Sequence, residues 1–500
     1  MAKLFQLKEW RFDRLREHVR AEGWTRSLFG FLRPGIFFLA ITAEIVTPVP
    51  FRPLISEIAM GVFALLTLLQ LLSKRQPFPV PTAKAALIVL LSIVYAALLA
   101  AVLEASRPAF LLGMPVIQPF IVGLSVLTLF PLDFFLKRSA MNAAMKIRSA
   151  HPEILTIGIT GSVGKTTTKE LLRHLLAPLG AIATPAYVNS EMGVARWLIK
   201  VLAPKKDSGR TPEVLRPKSE VLIVEMGAYR TGEIKKLCDI AQPSLGVITA
   251  VGTQHVALFG SENAIEQAKG ELFEALPRTG HAFVNIDSDA ARRTIGRAAC
   301  AVTTVGVHSE AILRGQSVHD TDTGLSLTVT GRTFTLPLRG LHNATNVLLA
   351  IAVARHLGMN DEDIQSRLRT FQPLPHTFSV RFERGVLLLD DTHNSSPSSF
   401  RAGLEWSALQ PQRPRILLTS GILELGPGEK QILEDLGRKA SDCAERVIFT
   451  GERGRDFFAG GYGKRVEMLS QSTPPVPTGG ILLCIGRMPL SSIQQLLPNP

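Results

Sequence analysis

The 500-residue sequence has few charged residues and few cysteines. Charged residues are 19% of the chain, which argues against long disordered segments. The four cysteines, Cys238, Cys300, Cys443 and Cys484, form no CxxC pair, so we expect neither a disulfide framework nor a zinc cluster, and a reducing compartment fits. Hydrophobic residues are plentiful at 46%, and a chain of this length holds about three domains.

Positive charge is concentrated in the first third of the chain. The net charge is +13, and residues 1–150 carry 17 Lys and Arg against 8 Asp and Glu. Positive and negative charges are therefore closer to balance in the rest of the chain. Since this part lacks the excess of positive charge that binds phosphate backbones, we expect no nucleic-acid partner.

Long uncharged runs occupy the same region. Ala85–Leu103 and Pro108–Leu132 are each near or above the ~20 apolar residues that cross a bilayer. Two weaker candidates precede them, Pro34–Phe51 and Leu54–Leu72, each containing one glutamate. The sequence predicts about four transmembrane helices, and two crossings with the same sidedness remain the alternative.

The distribution of Lys and Arg predicts the orientation of these runs. Basic residues cluster in the arm Lys3–Arg33, in the loop Lys74–Lys84 and after the last run at Lys137–Arg148. Since cytoplasmic loops carry the excess of positive charge, both ends are expected on the cytoplasmic side. We expect a multi-pass protein of the inner (cytoplasmic) membrane whose remaining residues lie in the cytoplasm.

After residue 150, short apolar runs alternate with amphipathic stretches, which is typical of a mostly parallel sheet covered by helices. The Pro-containing stretch Phe371–Phe378 interrupts this alternation and marks a boundary. Predicted strands are Ile154–Ile159, Val221–Glu225, Leu245–Thr249, His281–Asn285, Val386–Asp390 and Ile416–Thr419, and predicted helices lie near Lys165–Leu176, Ser261–Leu276 and Ser398–Leu409.

One glycine-rich segment lies between a predicted strand and a predicted helix, the context that a P-loop requires. Its backbone N–H groups and the helix N-terminus favour phosphate, with the Lys165 ammonium at the terminal phosphates and the Thr166 hydroxyl on Mg²⁺. Residue 159 is Ile where the strict pattern has Gly, so the loop is a shorter variant. The predicted nucleotide contacts are Gly161, Ser162, Val163, Gly164, Lys165, Thr166 and Thr167.

The predicted fold is therefore an α-helical membrane region followed by two α/β domains. Residues 1–150 form the membrane region, and residues 151–375 form a P-loop NTPase-like central domain with a mostly parallel sheet. Residues 376–500 form a Rossmann-like C-terminal α/β domain.

Three further residues follow the loop in an informative order. Glu225 ends a predicted strand, where a carboxylate beside a P-loop is well placed for Mg²⁺, although alone it could equally cap a helix. His255 follows the next strand, and Lys269 lies in the helix after it.

The chain resembles the Mur ligase family, ATP-dependent enzymes that form amide bonds in peptidoglycan precursor synthesis. The resemblance covers about two thirds of the chain. It rests on motifs in the family's order: Thr160–Thr168, Asn189–Gly193, Val224–Gly227 with Gly232–Ile234, His255 with Phe259–Ser261, Ala268–Glu271, Gly340–Asn346, Asp390–Pro397 and Leu423–Gly426.

The resemblance implies two Mg²⁺ ions and one ATP. Thr166 and Glu225 hold one ion, and His255 and Lys269 serve the second, with Lys269 carbamylated so that it presents a carboxylate. Lys165 and the metal ions balance the charge of the transferred phosphoryl group.

The resemblance also implies contacts to the nucleotide from later in the chain. Asn343 and Asn346 hydrogen-bond adenine, and Asp391 and Asn394 act from the C-terminal domain. The γ-phosphate passes to a substrate carboxylate, and an amine, an amino acid or a dipeptide, then displaces phosphate from the acyl phosphate.

The chain departs from the family in three places. A membrane region replaces the soluble domain that grips the UDP part of the substrate, which predicts a lipid-linked or membrane-proximal carboxylate substrate; the alternative is a small soluble one. Thr377 stands where the family often has Arg, with Arg381 or Arg384 as candidate substitutes. The motifs at 393–397 and 421–423 are also altered.

Three hypotheses remain. The first is a membrane-anchored, ATP-dependent ligase of cell-wall precursor synthesis. The second is an ATP-binding membrane scaffold or regulator that has lost ligation, suggested by Thr377 and the altered motifs. The third, a transporter or sensor driven by a P-loop ATPase, is disfavoured because no Leu-Ser-Gly-Gly-Gln signature is present.

Overall fold

A computed structural model describes residues 80–106, 114–203, 221–252, 259–321, 323–392, 396–422, 425 and 428–498, and isolated positions before residue 80. The chain divides into two compact units, Met1–Ser139 and Ala140–Pro500.

Two long apolar helices dominate the described part of the first unit. Helix α1 is Ala83–Ser106, and helix α2 begins at Met114 and continues to Ser149 in the second unit. Ala83–Val102 and Ile117–Ser149 are long and apolar enough to cross a membrane. The other two predicted crossings, Pro34–Phe51 and Leu54–Leu72, lie almost wholly outside the described residues.

Polar side chains join α1 to α2 inside this unit. The hydroxyls of Ser92 and Ser125 lie 3.0 Å apart, and those of Tyr95 and Thr128 also lie 3.0 Å apart. At one end, Asp133 pairs with Lys84. Such hydrogen bonds between helices are typical of apolar helix pairs that have no water to satisfy polar groups.

The second unit contains two sheets. The first has nine strands in the order β2-β3-β1-β4-β5-β6-β7-β8-β9, parallel from β2 to β7 and antiparallel from β7 to β9. The strands are β1 Leu155–Thr160, β2 Ile182–Ala183, β3 Val221–Glu225, β4 Leu245–Ile248, β5 His281–Asn285, β6 Ala301–Gly306, β7 Leu313–Thr321, β8 Gly324–Val329 and β9 Arg332–Leu336.

Helices cover both faces of the nine-stranded sheet. They are α3 Lys165–Leu175, α4 Glu191–Leu202, α5 Glu233–Ala241, α6 Glu262–Glu274, α7 Asp289–Arg293, α8 Ala344–His356 and α9 Asp361–Arg369. Two glycines allow α6 to approach the sheet closely. A Cβ at Gly158 of β1 would lie 2.9 Å from Leu272 Cδ1, and one at Gly246 of β4 would lie 2.9 Å from Leu276 Cδ1. At these two positions the strands therefore present backbone, not side chains, to α6 and to the turn that follows it.

The second sheet has six strands in the order β10-β11-β15-β12-β13-β14, parallel except for the edge pair β10–β11. The strands are β10 Ser379–Glu383, β11 Val386–Asp391, β12 Arg415–Thr419, β13 Arg446–Phe449, β14 Val466–Met468 and β15 Ile481–Ile485. The helices are α10 Pro397–Leu409, α11 Glu429–Cys443, α12 Arg455–Tyr462 and α13 Leu490–Leu496. Buried side chains fill both faces of this sheet.

The predicted α/β architecture is confirmed, and Val221–Glu225 and His281–Asn285 have the predicted bounds. The antiparallel extension β7–β9 was not predicted. Residue 375, after which a domain boundary was predicted, lies between the last strand of the first sheet and the first strand of the second sheet. The boundary itself stays a prediction.

Candidate active site

The glycine-rich loop connects β1 to the N-terminus of α3. Gly161 and Gly164 have φ angles of +146° and +88°. A Cβ at Gly161 would lie 2.0 Å from Thr249 Oγ1, and one at Gly164 would lie 2.2 Å from Asn346 Oδ1. Both positions therefore require glycine, for backbone conformation and for space.

The end of the neighbouring strand β4 holds the loop in shape. The backbone N–H groups of Ser162 and Val163 both donate to the carbonyl of Ala250, at 2.7 and 3.2 Å. The Thr249 hydroxyl donates to the Val163 carbonyl at 2.6 Å, and the Ser162 hydroxyl donates to the Gly252 carbonyl at 3.2 Å. The loop is thus preorganised by contacts within the protein.

Lys165 starts α3 and folds back over the loop. Its ammonium donates to the carbonyls of Gly161 and Ser162, at 2.7 and 2.9 Å. Burial lowers the pKa of Lys165, because the charged form loses water. Thr167, two residues further on, is half-buried at the same helix terminus.

Glu225 ends β3 and lies beside the loop. The Thr166 hydroxyl is 3.2 Å from both carboxylate oxygens of Glu225. The Asn189 amide donates to the same carboxylate at 3.3 Å. The structure therefore brings together Thr166 and Glu225, the two residues predicted to share one Mg²⁺.

Lys169, which the sequence did not single out, is the cation of this cluster. Its side chain is wholly buried, and its Nζ lies 3.2 Å from Glu225 Oε2 and 3.4 Å from Glu170 Oε1. A lysine on a polar helix gives no sequence signal of burial, so its role emerges only from the packing of α3 on β3.

Lys269 lies on α6 and is also buried. Burial first, and the nearby positive charge of Lys165 second, lower its pKa to about 7. Its Nζ lies 5.6 Å from the centre of the Phe259 ring. His255, its predicted partner on a second Mg²⁺, lies outside the described residues.

Asn343 and Asn346 pack against the loop and bond to each other. The Asn346 amide donates to Asn343 Oδ1 at 3.0 Å, and the Asn343 amide donates to the Arg339 carbonyl at 2.8 Å. Asn346 Oδ1 accepts from the Thr168 hydroxyl at 3.4 Å. These amides therefore support the start of α3, and their contact with adenine stays a prediction.

The predicted C-terminal contributors lie at the end of β11. Asp391 is buried, and its Oδ1 accepts from the Phe378 backbone N–H at 3.2 Å. Asn394 lies outside the described residues. Asp390, the residue before Asp391, was not singled out from the sequence. It is fully buried, and its Oδ2 lies 2.8 Å from His376 Nδ1.

The structure places Thr377 and the two candidate substitutes for the family's arginine in different surroundings. The Thr377 hydroxyl is buried and has no hydrogen-bond partner within the described part of the chain. Arg381 is held by Asp390 and Glu383, at 3.2 and 3.0 Å. Arg384 lies at the turn before β11, at the opposite end of that strand from Asp391, so the structure does not bring it to this site, whereas the suggestion for Arg381 stays a prediction.

The donor set fits a divalent cation bound together with phosphate. A hydroxyl and a carboxylate adjoin each other at Thr166 and Glu225, and Mg²⁺ is held by one or two such ligands plus phosphate oxygens. The described residues include no group of three His, Cys, Asp or Glu side chains that could hold a metal alone. The Lys165 ammonium, which lies over the loop, adds the positive charge that phosphate favours.

A glycine-rich loop between a parallel strand and a helix, with a carboxylate on the adjacent strand, places the second unit among the P-loop α/β proteins. Residues 159–354 match the Mur ligase middle domain. This part of the chain is therefore similar to the middle domain of the Mur ligases, and the resemblance stated from its motifs is confirmed.

Similar proteins are named UDP-N-acetylmuramoyl-tripeptide–D-alanyl-D-alanine ligase. That of Synechocystis is 38% identical over 272 residues, 54% of this chain and 56% of the relative. That of Mycobacterium tuberculosis is 32% identical over 334 residues, 62% of this chain and 61% of the relative. The chain thus matches less than two thirds of the length of either relative.

Solved structures show the same fold. A crystal structure of MurF from Acinetobacter baumannii has a TM-score of 0.62 at 23% identity, covering 72% of this chain and 79% of that one. MurF ligase from Thermotoga maritima in complex with ADP has a TM-score of 0.61 at 24% identity, covering 72% and 82%.

Proposed function

We propose that the protein is an ATP-dependent ligase that joins a carboxylate of a cell-wall precursor to an amine. The observation that carries this proposal is the cluster of Lys165, Thr166, Glu225 and Lys269 around one preorganised loop. The names of the similar proteins suggest the substrates, with a UDP-N-acetylmuramoyl tripeptide as the carboxylate and D-alanyl-D-alanine as the amine.

In the proposed reaction, the substrate carboxylate takes the γ-phosphoryl group of ATP, giving an acyl phosphate and ADP. The amine nitrogen then attacks the acyl carbon, the C–O bond to phosphate breaks, and the amine loses a proton. The N–H groups at the start of α3 and the Lys165 ammonium would hold the phosphates, Thr166 and Glu225 would hold Mg²⁺, and that ion would supply charge neutralisation. Asp391 and Asn394 are proposed to act on ATP from the C-terminal domain.

Lys269 is proposed to act as a carbamate. Its amine is buried, and a pKa of about 7 leaves much of it neutral, the form that reacts with carbon dioxide. The carbamate would turn a second buried cation beside Lys165 into an anion, which removes their repulsion. With His255, this group is proposed to serve a second Mg²⁺.

Helices α1 and α2 are proposed to anchor the protein in the inner membrane, with both ends of the chain in the cytoplasm. Their length and apolar surfaces support the anchor, and the basic residues around them support the orientation. A lipid-linked or membrane-proximal carboxylate would be met there at raised local concentration. The alternative is an anchor that localises an enzyme for a soluble substrate.

Dependence of ADP release on both substrates tests the function. We expect ADP release from ATP and Mg²⁺ only when the tripeptide precursor and the dipeptide are both present, with one amide formed per ADP. ADP release that ignores the amine would contradict ligation and favour an ATP-binding scaffold or regulator. A parallel comparison of lipid-linked and UDP-linked carboxylates tests the choice of substrate, and equal rates would contradict a lipid-linked substrate and favour the anchor that only localises the enzyme.

A further inference from the structure

A cleft of about 330 Å³ lies between the start of α3 and the end of the C-terminal sheet. Thr166 and Glu170 line it from one side, and His376, Thr392 and Arg487 line it from the other. We propose that Arg487 contacts the transferred phosphoryl group and supplies the positive charge that Thr377 does not. This inference rests on the proposed function and assigns one further residue to the same site.

The backbone before Arg487 is fixed at the end of three parallel strands. Ile485 is in register with Asp391 of β11 and Thr419 of β12. Gly486 follows with a φ of +108°, its N–H donates to the Asp391 carbonyl at 3.3 Å, and a Cβ there would lie 2.6 Å from Ser420 Oγ. Arg487 therefore leaves the sheet from a defined point beside Asp391.

The Arg487 side chain is exposed, whereas the other basic groups near Asp391 are engaged. His376 and Arg381 both bond to Asp390 Oδ2. Among the residues described as lining the cleft, Arg487 is the one arginine, and His376 is the other residue that can carry positive charge.

The chemistry of the cleft favours a phosphoryl group over other anions. Thr166, on the α3 side, is the residue paired with Glu225 for Mg²⁺ and phosphate. A guanidinium presents two parallel N–H donors to phosphate oxygens, which a lysine does not reproduce. A guanidinium that contacts the γ-phosphoryl group of ATP, and contacts it more strongly as charge develops during transfer, both favours ATP over ADP and lowers the barrier.

The first experiment compares Arg487→Ala and Arg487→Lys with a matched control, Arg384→Ala. Arg384 is also exposed, but it lies at the other end of β11. We expect Arg487→Ala to lower kcat by about 100-fold, the usual effect of losing one transition-state donor, with little change in KM for the amine. Arg487→Lys should retain an intermediate rate, and Arg384→Ala the full rate.

Unchanged kcat in Arg487→Ala would overturn the proposal. A raised KM for the amine with unchanged kcat would also overturn it, because Arg487 would then bind the amine's own carboxylate. Adding Thr377→Arg to Arg487→Ala restores a guanidinium near the family's position, and partial recovery of kcat supports the proposal.

A second measurement does not require ligation. We expect the full-length protein to bind a non-hydrolysable ATP analogue more tightly than ADP, and Arg487→Ala to reduce that preference by about tenfold, since charge-assisted hydrogen bonds contribute on this scale. A preference that is unchanged in Arg487→Ala overturns the role of Arg487. A reduced preference in a protein that forms no amide supports Arg487 and refutes the proposed function instead.

Discussion

The ammonium of Lys169 lies 3.2 Å from Oε2 of Glu225, and the lysine side chain is wholly buried. Glu225 also accepts from Thr166 and Asn189, so three polar groups, two on α3 and one before α4, orient one carboxylate. A buried charge is tolerated only when it is paired, which makes this pair a structural requirement of the site.

Replacing Lys169 by Met should destabilise the protein by about 3–5 kcal/mol, because it leaves the Glu225 carboxylate buried without its cation. Lys169→Arg should lose less stability than Lys169→Met, since arginine keeps the positive charge beside Glu225. Chemical denaturation of both variants measures the difference. Equal stability of Lys169→Met and the unmodified protein would show that the pair is not formed in solution.

Lys165→Ala should lower the rate of ATP-dependent turnover by about 100-fold or more without unfolding the protein. The Lys165 ammonium bonds only to carbonyls of its own loop in the described residues, and no core contact depends on it. Lys430→Ala is the control, because that side chain is 68% exposed on α11. Turnover retained by Lys165→Ala, with an unchanged circular dichroism spectrum, would refute the phosphate role of the loop.

Activity should depend on Lys269 and on dissolved carbon dioxide. Since its pKa is lowered to about 7, the neutral amine increases as pH rises through that value, and carbamylation should increase with it. Isotope-labelled bicarbonate should give a carbamate signal in the unmodified protein that Lys269→Ala lacks. Short carboxylic acids should partly restore activity to Lys269→Ala. Full activity of that variant, or no bicarbonate-dependent signal, would contradict the assignment.

Sequence patterns predicted the buried parallel strands because each is a continuous apolar run bounded by turns, as in Val221–Glu225. They did not predict β7, Leu313–Thr321, which is mostly polar and largely exposed and so lacks a continuous apolar run. The P-loop was visible because its glycines and lysine are adjacent in sequence. Lys169 and Arg487 could not be identified from the sequence, because the burial of Lys169 and the proposed role of Arg487 depend on contacts between segments far apart in the chain.

Residues 140–150 should be needed for the stability of the second unit. Ala144 is fully buried in its core. The Arg148 guanidinium donates to Thr156 Oγ1 at 3.1 Å and to the carbonyls of Ala241 and Ile154 at 3.1 and 2.8 Å. A chain that begins at Ala140 should fold, and one that begins at His151 should be less stable by about 2–4 kcal/mol. Equal melting temperatures would contradict this packing.

The most direct test of the proposed function is to follow a heavy-oxygen label placed in the substrate carboxylate. If the reaction passes through an acyl phosphate, one labelled oxygen leaves with the inorganic phosphate when the amine attacks. We predict labelled phosphate in proportion to amide formed, with its production dependent on the amine. Amide formation with unlabelled phosphate, or phosphate release without any amide, would contradict the account.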